Sequence, residues 1–312
     1  MTEGALGVIV GIETGGTKVV CGAFSPEEPA VPLDVRRFPT TSPSETIGRI
    51  NEYLSEVGDR QPIEALGIAS FGPLNVSRDE PRYGWITGTV KPGWANTKLL
   101  ERIPVAEAVP TALLSDVSGA ATAEHRWGAG AGVASIGYAT VGTGVGVGLV
   151  LNGRLFHGNG FPELGHLMIR RHPLDDFVGS CPFHGDCLEG LVSGPAVLAR
   201  WGVDSSSLPD RIRSRAHEIL GFYIAQLAAT VAYTSGVDRI VIGGGVLKAP
   251  GLLDETRQQF PLVTGGPHAG HAITADAFDF LVPPLLGDAS GMLGASAAAL
   301  DLLLARRGAS AL

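Results

Sequence analysis

Apolar residues follow two alternating rhythms along the chain. The runs GVIVGIETGGTKVVCGAF (7–24), IEALGIASFGP (63–73), TALLSD (111–116) and DRIVIGGGV (238–246) are short and rich in β-branched residues. Each is bounded by glycine, proline or aspartate, as buried strands entering loops are. Between them ETIGRINEYLSEVG, SGAATAEHRWG, RIRSRAHEILGFYIAQLAATVAYTSG and GMLGASAAALDLLLARRG predict helices, the third ending at Gly236. Strands alternating with helices predict an α/β fold.

Two of the strand segments double back on themselves. Residues 7–24 read as strand, turn and returning strand, with the turn over Glu13 to Lys18, and residues 134–157 repeat the idea around VGTGVG. There Asn152-Gly153 adds a strong type I′ hairpin signal before RLFHG resumes the strand. Two hairpin-opening segments about one domain length apart predict a duplicated architecture.

Composition narrows the function classes. With 312 residues, 45% of them hydrophobic and 17% charged, the chain is long enough and apolar enough for two ordinary domains. A net charge of −8 with no local basic run argues against a nucleic-acid partner. The opening residues lack an export leader and no apolar run reads as a membrane span, so the cytoplasm is the expected location, without a membrane partner. With three cysteines a disulfide framework is not expected, and closely spaced cysteines in a reducing compartment are expected to bind metal or do chemistry.

The 44 glycines gather beside the strands, in ETGGTK, VGTGVG and IGGGV. Each of the first two turns offers consecutive backbone N–H groups and a threonine hydroxyl to a phosphate. Neither matches GxxxxGK[ST] or GxGxxG, and taken singly each is more often an ordinary tight hairpin than a phosphate cradle. Two such turns plus GGGV after a buried strand point to a nucleotide.

His166, Cys181, His184 and Cys187 are spaced H-x14-C-x2-H-x2-C, two nitrogens and two thiolates suited to tetrahedral Zn²⁺. Four protein ligands leave no water position, so such a site is structural and holds a loop; this set also argues against a zinc hydrolase. The plainer alternative is two small buried cysteines with surface histidines. His157 and His172 lack the close spacing and read as exposed or hairpin residues, and Cys21 as a core residue. Glu163 and Glu189 flank the ligand set, and spacing alone leaves them as solvated carboxylates. Asp116 follows an apolar strand and precedes a helix, which suits equally a catalytic carboxylate and a helix N-cap.

With these residues in view the chain resembles the ROK family of sugar kinases, within the actin-like ATPase superfamily, and is most similar to its bacterial fructokinase branch. The resemblance covers nearly the whole length. It rests on GIETGGTK (11–18), SFGP (70–73), SDVSGAA (115–121), VGTGVGVG (141–148), PELGH (162–166), the Cys/His segment and IGGGV (242–246), in family order.

The resemblance implies a two-lobed actin-like ATPase (ribonuclease H-like) fold with an interlobe active site and a zinc-bound loop. Residues 1–115 plus 288–312 would form the N-terminal lobe and 116–287 the C-terminal lobe. It implies ATP-dependent phosphorylation of D-fructose to fructose 6-phosphate, with ATP/ADP and a hexose as ligands, Mg²⁺ arriving with ATP, structural Zn²⁺, and a homodimer.

Asp116 is the implied general base. Gly72, Pro73, Asn96, Glu163, His166 and Glu189 would bind the sugar, His166 giving one ring nitrogen to zinc and the other to a hydroxyl. Gly15, Gly16, Thr17 and Lys18 would meet the terminal phosphates, Gly142, Thr143 and Gly144 would form a second phosphate turn, and Gly243, Gly244, Gly245 and Val246 would lie against the adenosine. The chain departs from the family in three places. Glu13 stands for the usual aspartate whose hold on Mg²⁺ is through water, Ser118 for an asparagine, and Ser115 for an asparagine or threonine.

Alternatives within the family are a glucose, mannose or N-acetylmannosamine kinase. A sugar-responsive regulator would carry an added DNA-binding helix pair before the first strand, which is expected by Gly7.

Overall fold

The computed structural model describes residues 7–89, 91–158, 160–265 and 276–309. They divide into two compact units: residues up to Ala123 with His157–Phe161 and the chain from Asp288 on, and Glu124–Phe156 with Pro162–Gly287.

Unit 1 is built on β1 (Val8–Thr14), β2 (Lys18–Phe24), β3 (Pro32–Pro39), α1 (Pro43–Arg60), β4 (Ile63–Ser70), the small hairpin β5 (Trp85–Ile86) and β6 (Thr97–Lys98), α2 (Val105–Ala108) and β7 (Thr111–Ser115). Helix α3 (Asp116–Trp127) starts in unit 1, and its residues from Glu124 on belong to unit 2. Unit 2 continues with β8 (Ile136–Val141), β9 (Val145–Leu151), β10 (Arg154–Leu155), α4 (Leu188–Val192), α5 (Gly194–Trp201), α6 (Asp210–Ser235), β11 (Arg239–Gly243), α7 (Leu252–Thr264), α8 (Ala277–Phe280) and β12 (Leu281–Val282). Finally α9 (Ser290–Ala309) returns to unit 1.

The sheet of unit 1 has the order β3-β2-β1-β4-β7 and that of unit 2 the order β10-β9-β8-β11-β12. In both, the first three strands of the sheet pair antiparallel in sequence order, the fourth adds parallel to the first, and the fifth adds parallel to the fourth. The duplication expected from the two hairpin segments is therefore present strand for strand. Parallel strands need crossovers whose helices cover the faces, which is why β1, β4, β8 and β11 are almost wholly apolar.

Helix α1 shows how the pattern becomes packing. Ser42 caps its N-terminus by accepting from Glu45 N–H, Pro43 occupies the first turn, and Ile47, Ile50, Tyr53, Leu54 and Val57 are buried at helical spacing. Each such aliphatic side chain stabilises the unit by about 1.5–3 kcal/mol relative to exposure. In unit 2 the long α6 buries Leu220, Tyr223, Ile224, Leu227 and Val231 and ends at Gly236, whose φ of 60° is the left-handed cap the sequence predicts.

Helix α9 approaches its neighbours with little side chain between backbones. A Cβ on Gly67 of β4 would stand 1.8 Å from the Ala295 carbonyl oxygen, and one on Gly294 would stand 1.7 Å from the Gly119 oxygen of α3. By length and composition the helix over Gly287–Gly308 is apolar enough to cross a membrane. Its buried Met292, Leu293, Ala295, Ala299 and Leu303 make it a core helix of unit 1.

Candidate active site

In unit 1, β1 and β2 meet in a four-residue turn whose carbonyls are all engaged. Gly15 N–H donates to Lys18 O at 2.9 Å, Thr40 Oγ1 donates to Gly15 O at 2.7 Å, Thr40 N–H donates to Thr17 O at 3.0 Å, and Lys91 Nζ donates to Gly16 O at 2.6 Å. The N–H groups of Gly16 and Thr17 have no partner among the described residues. Gly16 faces open space, since a Cβ built there would meet nothing within 4 Å. With its carbonyls engaged and these two amides unclaimed among the described residues, the turn has the make-up of an anion cradle.

Beside this turn stands a cluster of charges. Glu13, next to last in β1, has its Oε2 buried and without a partner among the described residues, and its carboxyl is pushed up to about 7. Burial is the largest cause; Asp116 adds to it, Lys18 opposes, Asp288 adds again and the Met292 N–H opposes. Lys18 Nζ forms an ion pair with Asp288 at 3.1 Å. Asp116, predicted from a strand end 100 residues away in sequence from the turn, is thus within electrostatic reach of Glu13.

The N-cap alternative for Asp116 is answered by its neighbour. Ser115 Oγ accepts the Ser118 N–H at 3.2 Å and donates to Ser118 Oγ at 2.8 Å, so Ser115 caps α3. Asp116 stands half-buried in the first turn, with Oδ1 accepting the Val117 N–H at 2.9 Å. The two serines that depart from the family pattern are buried and bonded to each other.

The predicted sugar corner of unit 1 is one strap. Phe71 N–H donates to Thr14 O, the Gly72–Pro73 peptide is cis, and Pro73 O accepts from both Thr87 N–H at 2.8 Å and Thr87 Oγ1 at 3.1 Å. Thr87 O in turn accepts the Asn96 N–H at 3.0 Å, and Asn96 is exposed with a φ of 59°.

Unit 2 repeats the glycine turn with different supports. Gly142 N–H donates to Gly144 O at 2.8 Å, Gly194 N–H to Gly142 O at 2.7 Å, and Val145 N–H to Glu189 Oε2 at 2.9 Å. A Cβ on Gly144 would stand 2.7 Å from that same carboxylate oxygen. Thr143 is exposed at the tip. Gly244, with φ of 100°, lies so close to Val141 that a Cβ would fall 2.4 Å from its carbonyl oxygen, which brings Gly243, Gly245 and the buried Val246 beside the second turn.

His166, Cys181, His184 and Cys187 converge, each offering one donor atom, all within 4.8 Å of one another. Cys187 Sγ lies 3.6 Å from His166 Nδ1, and Cys181 Sγ lies 3.9 Å from His166 Nδ1 and 3.8 Å from His184 Nδ1. A tetrahedral Zn²⁺ with bonds of about 2.0 Å to nitrogen and 2.3 Å to sulfur sets nitrogen and sulfur about 3.5 Å apart, so the four residues fit such an ion. Burial pushes the Cys187 thiol up to about 11, opposed by the Gly190 N–H; a bound cation would reverse that cost by taking the thiolate.

Because His166 turns Nδ1 to the sulfurs, its Nε2 is left for another partner. Glu163 is exposed as a residue, yet loss of water around its carboxyl raises its pKa, with His166 opposing and Glu189 adding. Glu163 is therefore within electrostatic reach of both His166 and Glu189. The turn bearing His166 sits directly on β9, where a Cβ on Gly165 would meet Val145 O at 2.2 Å.

Two expectations need amendment or addition. His172 is buried, not exposed: its N–H donates to Tyr223 Oη at 3.1 Å, its Nδ1 accepts from Leu174 N–H, and its ring meets Phe222 edge-on. That contact belongs to a buried network around Asp175, which takes Tyr223 Oη at 2.7 Å and Arg200 at 3.1 Å, while Arg171 reaches Asp186 between two metal-ligand candidates at 3.3 Å. No sequence spacing announces it. Thr40 and Lys91 were likewise invisible; each supports the first turn from 25 or 75 residues away.

The paired sheets with glycine turns opening each define an actin-like ATPase fold. Within it, the ROK family model matches residues 9–301, and the chain belongs to the ROK family. A fructokinase of Zymomonas mobilis is 40% identical over 292 residues, 93% of this chain and 95% of that protein. A fructokinase of Pediococcus pentosaceus is 36% identical over 283 residues, 91% of this chain and 94% of its own. Among solved structures, the ROK hexokinase of Thermus thermophilus superposes with a TM-score of 0.75 at 28% identity, covering 96% of this chain and 99% of that one.

Proposed function

We propose that the protein transfers the γ-phosphoryl group of ATP to the 6-hydroxyl of D-fructose. Near end-to-end similarity to fructokinases carries the choice of sugar. The amides of Gly16 and Thr17, unclaimed among the described residues, with Asp116 in reach of Glu13 beside them, support the chemistry.

A sugar hydroxyl is a poor nucleophile at neutral pH and needs a carboxylate to accept its proton as the bond to phosphorus forms. Asp116 does this. Gly72, Pro73 and Asn96 border the sugar, and Glu163, Glu189 and the Nε2 of His166 take its other hydroxyls. Gly15, Gly16, Thr17 and Lys18 meet the terminal phosphates, Gly142, Thr143 and Gly144 the second phosphate contact, and Gly243 to Val246 the adenosine.

Mg²⁺ supplies charge neutralisation on the phosphates when ATP is bound, and Glu13 Oε2, without a partner among the described residues, suits a hold on its hydration shell. Zinc held by His166, Cys181, His184 and Cys187 keeps Glu163 and Glu189 in register. Cys21, Cys181 and Cys187 form no disulfide, in keeping with a cytoplasmic enzyme. A homodimer completes the reading, supported by the exposed Met168, Val178 and Phe183 of the Cys/His segment, and sedimentation checks it.

The test is ADP release coupled to a dye across fructose, glucose, mannose and N-acetylmannosamine. Fructose should give the highest kcat/KM. A preference for another hexose would overturn the sugar, and absence of turnover with every hexose would overturn the enzyme.

A further inference from the structure

Lys91 lies on the loop of the β5–β6 hairpin. Its backbone is held on both sides: Lys91 N–H donates to Thr89 Oγ1 at 3.3 Å, and Trp94 N–H donates to Lys91 O at 3.2 Å. Trp94 is fully buried, stacks edge-on against Phe71 at 5.1 Å and donates from Nε1 to Thr41 O at 2.8 Å. The loop is therefore anchored, and the lysine side chain starts from a fixed place.

From there the half-buried ammonium reaches Gly16 O, 75 residues earlier in the chain, at 2.6 Å. Among the described residues it pairs with no carboxylate. This separates it from Lys18, whose charge is shared with Asp288. Holding a long side chain in one rotamer against a neutral acceptor costs conformational entropy, so the contact calls for a reason.

The peptide plane supplies one. Gly16 C=O and Thr17 N–H belong to the same trans peptide and point in opposite directions. A cation on the carbonyl therefore fixes the direction of the Thr17 N–H and, by polarising the amide, makes it a stronger donor. That N–H is one of the two in the turn without a partner among the described residues. We propose that Lys91 is a positioning residue of the first phosphate turn: its grip on the Gly16 carbonyl aims and strengthens the Thr17 N–H toward the terminal phosphates of the nucleotide. The proposal rests on the reading of residues 15–18 as a phosphate site.

The experiment compares wild type with Lys91→Met, which keeps the stem and removes the charge, and Lys91→Arg, which restores a cation. MgATP is varied at saturating sugar, using whichever hexose wild type prefers. Lys91→Met should lower kcat/KM for MgATP by about 30-fold or more while leaving the sugar KM within about twofold, and Lys91→Arg should return to within about fivefold of wild type. Calorimetric titration with MgADP reads the turn without turnover and should weaken in Lys91→Met. The Thr17 amide proton, followed in ¹⁵N-threonine-labelled protein, should move upfield in Lys91→Met alone.

A Lys91→Met enzyme within threefold of wild type for MgATP overturns the proposal. So do equal losses in the sugar and nucleotide parameters with the Thr17 amide unmoved, which describe a merely structural lysine. If Lys91→Met does not fold, Lys91→Gln takes its place under the same criteria. Wild type inert toward every hexose removes the kinase reading itself, and unchanged MgADP affinity in the variant then removes the role of Lys91 as well; active wild type with an unaffected variant removes Lys91 alone.

Discussion

The two units fold on one strand order and secure their glycine turns by different means. Unit 1 holds Gly15 to Lys18 with side chains from distant loops: Thr40 on Gly15 O and Lys91 on Gly16 O. Unit 2 holds Gly142 to Val145 with the Glu189 carboxylate and the start of α5, and stations the Cys/His group next to it. A duplicated scaffold thus fixes where a turn opens, while the surrounding insertions decide what it does. Unit 1 gathers Glu13, Lys18, Asp116 and Asp288, a set suited to proton and phosphate chemistry. Unit 2 gathers Glu163, His166 and Glu189, a set suited to polyol recognition.

The sharpest way to break that division is Asp116→Asn. It removes the proposed proton acceptor and leaves the polyol set of unit 2 intact, so kcat should fall on the order of 10²–10⁴-fold. Calorimetric fructose affinity should stay within about threefold of wild type. A variant that keeps full turnover would move the base elsewhere.

Next in size is the metal. Replacing Cys181 and Cys187 by serine should abolish stoichiometric zinc by elemental analysis and destabilise unit 2 by roughly 3 kcal/mol or more in urea melts. The affinity of the site should also rise with pH, since the buried Cys187 thiol must give up its proton to bind. If the double variant is as stable as wild type, the four residues are only a polar cluster.

Glu13 offers a pH test confined to unit 1. Its folded-state pKa of about 7 exceeds the ordinary carboxylate value of 4.5, so the folded protein binds the proton more tightly than the unfolded chain. The stability of the ligand-free protein should therefore decline as pH rises from about 4.5 toward 7 and level off above. Glu13→Gln should flatten that part of the profile in thermal melts. An unchanged slope would assign it to other groups.

The smallest effect is expected from Thr40→Val, which deletes one hydrogen bond to the first turn. Stability should drop by about 1 kcal/mol, with a modest rise in the KM for MgATP and none in that for fructose. A matching rise for fructose would show that the turn and the sugar strap respond together.

Much of this was legible in the residue order. The strands of both hairpins, the helix stop at Gly236, the convergence of His166 with Cys181, His184 and Cys187, and the glycines of each turn follow from local rules: apolar period, left-handed glycine and ligand spacing. Each of these rules operates within one continuous stretch of chain, the longest being the ligand spacing over residues 166–187. Asp116 was legible only as one of two roles; the capping hydroxyl of Ser115 takes the N-cap role, and the catalytic role is the one proposed.

What tertiary structure alone decided are the partnerships across long stretches of chain. Glu124 is fully buried because it accepts N–H groups from Ala129, Leu285 and Leu286, and the last two lie more than 160 residues away. His172 is inside where it meets α6, its ring edge-on to Phe222 and its N–H bonded to Tyr223 Oη. Lys91 meets Gly16 because the β5–β6 loop is pinned through Trp94. None of these has a sequence period, since hydrogen bonds between separate segments depend on where the folded backbone brings their ends. The pattern of apolar and glycine positions determined which elements form and where their turns open, and packing determined which distant side chains hold those turns in working shape.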